Sequence, residues 1–331
     1  MLTNLYREDE IQALIALAEL DFPINSPNNN SYKPFPKSMA EAQTYFRRFR
    51  VDLSAAFSSL HSRGLVNQQQ GTWVLTLFGK EVADQIRRAR PPIFYWYKDY
   101  YSAIDSSHAF SEYSRRVFGK NLGQHGFSDL TQIHMMLEFL PLNAFSSVLD
   151  VGCGSGKIAE YISDLTQASV TGIDYIPEAI VQAEKRTVSK RDRLHFRIGD
   201  IQTLVHKNEF FDLILSIDSI YFGDPKTILA CWKRLLNPTG RMAIFYLNLD
   251  GGDLSIPLKE NSLSYDTYDL SRQNWYHQQL KNTVASEMRE AFEAEGNSFV
   301  WENLMMESIS IREAYDLTVS PMRRYLYIVK I

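Results

Sequence analysis

The sequence predicts an α/β fold, with a seven-stranded, mostly parallel sheet that follows a smaller, mainly helical domain. Three observations predict it. After Pro141, short apolar segments alternate with helical stretches, which is typical of a parallel sheet with crossover helices. One apolar segment runs directly into a glycine-rich turn at residues 152–156. The chain has 331 residues, which is longer than a single domain usually is, so two domains are expected.

Residues 1–91 are predicted to form a winged-helix-like domain, because helical stretches are followed by a hairpin pattern and a further helix. The helices are indicated by apolar residues at helical spacing, by a capping box at a helix start and by a glycine at a helix end. The predicted elements are a helix over Asp9–Leu20, a helical stretch opened by Ser38 and Glu41 and ended by Gly64, two strands flanking residues 67–72, and a helix from Thr76.

Residues 92–140 are crowded with aromatic side chains and are predicted to form helices that link the two domains and cap the site. Residues 141–331 are predicted to form the sheet domain, with a long polar insertion at 250–279 near the site. Strands are predicted at 147–151, 169–174, 193–198, 211–217, 241–248, 298–305 and 324–331, and helices from about Gly156, Pro177, Asp224, Leu280 and Ser310.

Composition excludes several classes of protein. The two cysteines, Cys153 and Cys231, lack the spacing of a metal or redox site, so no metal is expected. No apolar run approaches the roughly 18 residues of a membrane span, and no leader pattern begins the chain, which predicts a cytoplasmic protein. The net charge of −4 gives no strong basic excess, so nucleic acid is not an expected partner.

The segment Val148–Gly156 is a buried strand followed by a turn with glycines at 152, 154 and 156 and then a helix. Glycines allow a backbone to approach a ligand closely, and such turns bind nucleotide-type ligands. The dinucleotide fingerprint needs its third glycine one residue later, where this chain has Lys157. The spacing therefore argues against a nicotinamide or flavin cofactor.

The next strands also end in chemistry-bearing residues. Asp174 ends the second strand, where its carboxylate can accept hydrogen bonds from two ribose hydroxyls. Asp200 and Ile201 follow the third strand and could bind an adenine amino group and ring. Ser216 and Asp218 end the fourth strand, beneath the expected reaction centre.

These residues together resemble the class I S-adenosylmethionine-dependent methyltransferases, over about residues 145–250. The resemblance implies a Rossmann-like sheet and S-adenosyl-L-methionine as the cofactor. It also implies roles for the site residues: Asp150 and the backbone of Gly152, Gly154 and Gly156 for the methionine part, Asp174 for the ribose, Asp200 and Ile201 for the adenine, Tyr175 and Ile176 for its other face, and Ser216 beside the cofactor.

The sulfonium cofactor is already electrophilic, so such an enzyme must mainly orient the acceptor for in-line displacement and exclude water. Candidate catalytic residues are His125, Asp218 and Tyr221, of which histidine has the ordinary pKa best suited to proton transfer near neutral pH. Amino-methylating nucleic-acid enzymes carry Pro-Pro and an aromatic after the acidic or amide residue, whereas Asp218 is followed by Ser219 and Ile220. By elimination, a small organic acceptor is expected, methylated at O, N or C.

An N-terminal winged helix ahead of such a core is similar to the arrangement in natural-product O-methyltransferases, which implies a homodimer. Two alternatives remain open. One is a cofactor-responsive DNA-binding regulator, because Arg47, Arg48, Arg50 and Arg63 lie on or near the predicted recognition helix. The other is a methyltransferase that acts on protein or RNA, because cofactor motifs do not reveal the acceptor.

Overall fold

The computed structural model describes residues 5–21, 53–69, 71–89, 93–202, 204, 210–248, 252–305 and 323–331. The chain divides into two compact units, Met1–Asp99 and Tyr100–Ile331. The domain boundaries drawn from the sequence, at 91 and 140, stay predictions.

The first unit contains the predicted helix–hairpin–helix elements. Ile11, Leu14 and Ile15 are buried in its apolar interior. Phe57 stacks on Trp73 with ring centroids 5.6 Å apart. The capping box of Ser38 and the winged-helix assignment depend on residues outside the described ranges, so that assignment stays a prediction. The elements are α1 Glu8–Asp21, α2 Leu53–Ser62, β1 Val66–Gln69, β2 Thr72–Leu75 and α3 Leu77–Ala89.

The second unit is built on a sheet of seven strands. Its strands are β3 Ser147–Val151, β4 Ser169–Asp174, β5 Leu194–Ile198, β6 Phe211–Ile217, β7 Leu236–Asn248, β8 Ser264–Asp269 and β9 Arg323–Lys330. Its helices are α4 Ile93–Ile104, which begins before the unit boundary, α5 His108–Phe118, α6 Leu130–Phe139, α7 Lys157–Thr166, α8 Pro177–Arg186, α9 Pro225–Lys233, α10 Ser255–Glu260, α11 Ser271–Glu287 and α12 Arg289–Ala294.

The strands lie in the order β5-β4-β3-β6-β7-β9-β8. The neighbours from β5 to β7 pair in parallel, whereas β9 runs antiparallel to both β7 and β8. Strand order reverses at β3, because β4 lies on one side of it and β6 on the other. Ligands of open α/β sheets bind at such a switch point, outside the carboxyl ends of the strands. The predicted Rossmann-like sheet is confirmed.

Apolar side chains cover both faces of this sheet. One cluster joins Leu149 and Val151 of β3 to Trp232 of α9. The other joins Val148 of the same strand to helices α6, α7 and α8, with Ile162 fully buried. Successive residues of a strand point to opposite faces, which explains why β3 is apolar on both sides and why parallel strands read as continuous apolar runs.

One strand prediction is wrong, and one strand was not predicted. Residues 298–305, predicted as a strand, are helical. Val300 and Leu304, four residues apart, are each 1% exposed, so the apolar side chains lie on one helical face. The strand that completes the sheet is instead β8, inside the segment read as an insertion. It is a polar, acidic edge strand that gave no apolar signal, as is common at sheet edges.

The helix predicted from Leu280 begins nine residues earlier, at Ser271. Its buried face is polar and includes Asn274, Gln278 and Lys281, so hydrophobic periodicity could not reveal it. The helix predicted near Ser310 lies outside the described residues. The other helix starts predicted in this unit, near Gly156, Pro177 and Asp224, are confirmed.

Candidate cofactor and acceptor site

The loop after β3 has a backbone that only glycine adopts easily. Gly152, Gly154 and Gly156 have φ angles of 75°, 54° and 70°, in the left-handed region. A Cβ on Gly154 would lie 2.3 Å from the Tyr101 hydroxyl oxygen, and one on Gly156 would lie 2.3 Å from the Phe196 ring. Both conformation and close packing therefore require glycine here.

Asp174, at the end of β4, is joined to this loop. Its Oδ2 accepts a hydrogen bond from Gly154 N at 2.8 Å, and its Oδ1 accepts one from Ile176 N at 2.9 Å. Burial raises the pKa of Asp174 to about 6, although these amide hydrogen bonds act in the opposite direction. The Tyr175 amide also donates to this carboxylate, which leaves about one of its roughly four lone-pair positions for a further donor, such as a ribose hydroxyl.

Asp150, in β3, is 3% exposed. Its Oδ2 is buried and has no hydrogen-bond partner among the described residues. Burial, and then repulsion from Asp174, raises the pKa of this carboxyl to about 7. A buried acceptor without a donor is costly, so this position fits a ligand that brings a donor or a positive charge. The ammonium and sulfonium groups of S-adenosylmethionine are of that kind.

The remaining residues predicted to bind the cofactor differ in how far their side chains are exposed. Asp200 is exposed after β5 and accepts a hydrogen bond from Gln202 N, while Ile201 beside it is 6% exposed. Ser216 and Ile176 are both fully buried, and Ser216 Oγ lies 2.8 Å from Ser219 Oγ. Neither presents surface to a ligand in this conformation, whereas Asp200 does. Tyr175, next to Asp174, is half-buried.

Cys153 lies within the glycine loop but is not suited to nucleophilic chemistry. Burial, together with the carboxylates of Asp150 and Asp174, raises the pKa of its thiol well above the ordinary value. The reactive form of cysteine is the thiolate. The thiol is therefore neutral near pH 7.

Asp218, at the end of β6, forms a buried ion pair that the sequence did not predict. Its Oδ1 lies 2.7 Å from Arg324 Nη1, and the side chains are 5% and 0% exposed. Arg324 Nη2 and Phe127 N also donate to Oδ2, at 3.2 Å and 2.9 Å. A carboxylate that accepts three hydrogen bonds, two of them from one guanidinium, is held in a fixed orientation.

His125 lies in the turn between α5 and α6, here called the cap turn (residues 124–128). Its Nε2 lies 2.8 Å from Oδ1 of Asn303, in the helical segment 298–305. Its ring meets the Tyr100 ring edge-on, at 5.0 Å. Because Asn303 Oδ1 can only accept, Nε2 donates in this contact.

Tyr221, the third predicted catalytic residue, accepts a hydrogen bond from Leu247 N through its hydroxyl oxygen. Its ring lies 5.2 Å from that of Tyr246, and it packs against the small cluster formed by Phe127 and Leu247. The structure thus brings Asp218 and Tyr221 to the cap turn that carries His125.

Sequence reasoning missed Arg324, Asn303 and Lys281. Lys281 is 1% exposed and donates to the cap-turn carbonyl of Gly126 at 3.2 Å. Arg324 stands at the start of an apolar strand, and a charge in that position is the signal that could have identified it. Asn303 could not be found, because its segment was assigned to a strand.

Other features bear on partners. No helix among the described residues is long and apolar enough to cross a membrane, and within the same ranges no cluster of three or more His, Cys, Asp or Glu could hold a metal. In the first unit, Arg63 pairs with the buried Glu10 at 3.3 Å and stacks on Tyr6. This arginine is therefore engaged within its own unit, while Arg47, Arg48 and Arg50 lie outside the described residues.

Comparisons with known proteins agree with this geometry. Residues 142–296 match a family model described as a methyltransferase domain. The chain is 35% identical over 112 residues to the methyltransferase GfsG of Streptomyces halstedii, covering 33% of this chain and 40% of that protein. It is 33% identical over 132 residues to phosphoethanolamine N-methyltransferase of Plasmodium falciparum, covering 39% and 48%.

The chain thus spans less than half the length of these two relatives. Among solved structures, the cyclopropane synthase MmaA2 of Mycobacterium tuberculosis superposes with a TM-score of 0.55 at 14% identity, covering 69% of this chain and 97% of that one. At that identity the likeness shows the fold alone. The family model and the observed sheet agree with the sequence resemblance: residues 142–296 match a methyltransferase domain, and the sheet has the strand order expected of the class I S-adenosylmethionine-dependent type.

Proposed function

We propose that the chain is an S-adenosylmethionine-dependent methyltransferase that methylates a small organic acceptor at an O, N or C atom. The observation that carries this proposal is the buried Asp150 Oδ2, which lacks a donor beside a loop of three left-handed glycines. A cofactor with a charged amino group supplies that donor. The same chain contains the ribose-type acceptor Asp174, fixed to the loop through Gly154.

Different residues of the chain would bind different parts of the cofactor. Asp150 and the glycine-loop backbone would hold the methionine part, Asp174 the ribose, and Asp200 with Ile201 the adenine. When bound, the cofactor supplies a methyl group activated by its positive sulfonium. The chain's own residues then need to orient the acceptor and keep out water.

On the acceptor side, we assign proton transfer to His125, for acceptors that lose a proton. The hydrogen bond to Asn303 fixes its ring, and fixed orientation favours general-base catalysis. A small acceptor is supported by the relative that acts on phosphoethanolamine. The homodimer and the cytoplasmic location remain predictions.

The test is transfer of label from methyl-labelled S-adenosylmethionine to a fractionated cell extract, using the full chain. We expect label in the small-molecule fraction and none with the Asp150→Asn variant, which loses the carboxylate but keeps its shape. Label in the protein or RNA fraction would overturn the small acceptor. Failure of the wild-type protein to bind the cofactor in calorimetry would overturn the activity itself.

A further inference from the structure

The cap turn is connected to the end of the chain through one buried ion pair. Asp218 accepts a hydrogen bond from Phe127 N of the cap turn and two from the guanidinium of Arg324, in β9. The three elements that meet here lie far apart in sequence. A single carboxylate therefore joins the cap, the carboxyl end of β6 and the last strand.

Arg324 also contacts the cap directly. Its Nη2 donates to Ser128 Oγ at 2.7 Å, and its Nε donates to Gln132 Oε1 at 3.3 Å. Its guanidinium lies 5.3 Å from the centre of the Phe127 ring, within cation–π range. The arginine is fully buried, so these contacts are shielded from water and salt.

The Asp218 side chain packs closely against the backbone of the cap turn at Gly126. A Cβ at Gly126 would lie 2.7 Å from Asp218 Oδ2, and its φ lies outside the left-handed region. Glycine is thus needed here for the contact and not for the backbone conformation. Asp218 itself has a φ of 54°, which is unusual for a residue with a side chain and is typical of functional sites.

We propose that Asp218 and Arg324 are positioning residues, which hold the cap turn and its His125 against the carboxyl edge of the sheet. The proposal rests on the proposed function, because it assigns the orientation of the acceptor site to this pair. Asp218 then acts through the cap and not as a proton acceptor, since its charge is paired and its oxygen atoms already receive three donors. Burying an ion pair is costly and is often no more stabilising than apolar packing. A role in positioning accounts for its presence next to the switch point.

Hydrogen exchange on the full chain tests the positioning without any ligand. Two variants loosen the contact from different sides: Gly126→Ala leaves both charges in place, and Asp218→Asn removes one charge. The control is Lys330→Gln, at a residue of β9, the strand that carries Arg324. It removes an exposed ion pair with Asp266 of β8. We expect amides of the cap turn to exchange about tenfold faster in Gly126→Ala, with the protection of β6 unchanged and the control like the wild type. In Asp218→Asn, which removes the carboxylate beside the buried charge of Arg324, we expect β6 to lose protection too, but less than the cap turn.

Unchanged protection of the cap turn in Gly126→Ala would overturn the proposal, as would an equal loss of protection in β6, which indicates general destabilisation. S-adenosylhomocysteine binding to the wild-type protein is measured separately and decides the proposed function. With a labelled acceptor fraction, we expect Asp218→Asn to lower the rate while keeping the wild-type pH profile. Disappearance of the acidic limb of that profile would make Asp218 the proton acceptor and overturn its role as a positioning residue.

Discussion

Asp174 accepts a hydrogen bond from the backbone amide of Gly154 at 2.8 Å, which joins the end of β4 to the glycine loop after β3. The amide can point at the carboxylate because Gly154 adopts a φ of 54°. The carboxylate proposed to bind the ribose and the loop proposed to bind the methionine part are thus held in one arrangement. Changes to the loop are expected to disturb both halves of the cofactor site.

Gly154→Ala is expected to weaken cofactor binding at least about tenfold, because the new Cβ would lie 2.3 Å from the Tyr101 hydroxyl oxygen. Left-handed backbone strain also costs about 1–2 kcal/mol. The control is Gly296→Ala, where φ is 71° but nothing lies within 4 Å. Calorimetric titration with S-adenosylhomocysteine should give wild-type affinity for the control. Equal affinity for both variants would contradict the fitted loop.

Cofactor affinity is expected to rise with pH between 5.5 and 8. The pKa values of Asp150 and Asp174 are raised to about 7 and about 6, so both carboxyls lose their protons across this window. The ionised forms attract the positive cofactor and accept its hydrogen bonds. One group with a pKa near 7 changes the apparent Kd by about tenfold or more over this range. A flat profile for the wild-type protein would be the contrary result.

Asp150→Asn is expected to stabilise the ligand-free protein, and to do so more at pH 8 than at pH 5. The folded pKa of Asp150 lies above its ordinary value of 3.8. The carboxyl therefore destabilises the fold increasingly as pH rises from about 4 to about 7. At about 1.4 kcal/mol per pKa unit, and with two coupled carboxyls, we expect a gain of about 1–4 kcal/mol. Urea unfolding at the two pH values measures it, and a gain independent of pH would disprove the assignment.

Arg324→Met should destabilise the protein by about 3–5 kcal/mol, because it leaves the Asp218 carboxylate buried and unpaired. Adding Asp218→Asn should recover part of the loss, since the uncompensated charge is then absent. The denaturation midpoint reports both changes. Strictly additive losses in the double variant would show that the two side chains do not interact.

His125→Gln is expected to lower turnover of a labelled acceptor by about 10²–10⁴-fold if proton transfer is required, with cofactor affinity unchanged. The matched control is His134→Gln, an exposed histidine that contacts Tyr161. Turnover in the control should equal that of the wild-type protein. Full activity in the His125 variant would leave orientation alone as the contribution of the cap turn.

Much of the fold could be predicted because its strands are buried on both faces. Segments such as Ser147–Val151 and Phe211–Ile217 read as continuous apolar runs and were placed to the residue. Strand β8 and helix α11 were missed, because an edge strand and a helix with a buried polar face lack that pattern. The segment with Val300 and Leu304 was predicted as a strand but is helical, because apolar residues that favour strands can also form one side of a helix.

The cofactor side of the site could be predicted for a related reason. Asp150, Asp174 and the loop glycines lie within or directly after strands, so their places follow from the order of the elements. The acceptor side depends on long-range contacts, such as Asn303 with His125 and Arg324 with Asp218. Those pairs are 178 and 106 residues apart, and no local pattern in the chain encodes them.

The ion pair between β6 and β9 also limits how this protein could be recombined with its relatives. The glycine loop and its carboxylates lie within residues 150–174, so they could be exchanged as a block if the rings of Tyr101 and Phe196, which pack closely on the loop, are kept. The cap turn is different, because its partner Arg324 stands in the last strand of the chain. A chimaera that imports a new cap to change acceptor preference would need to import the matching final strand as well.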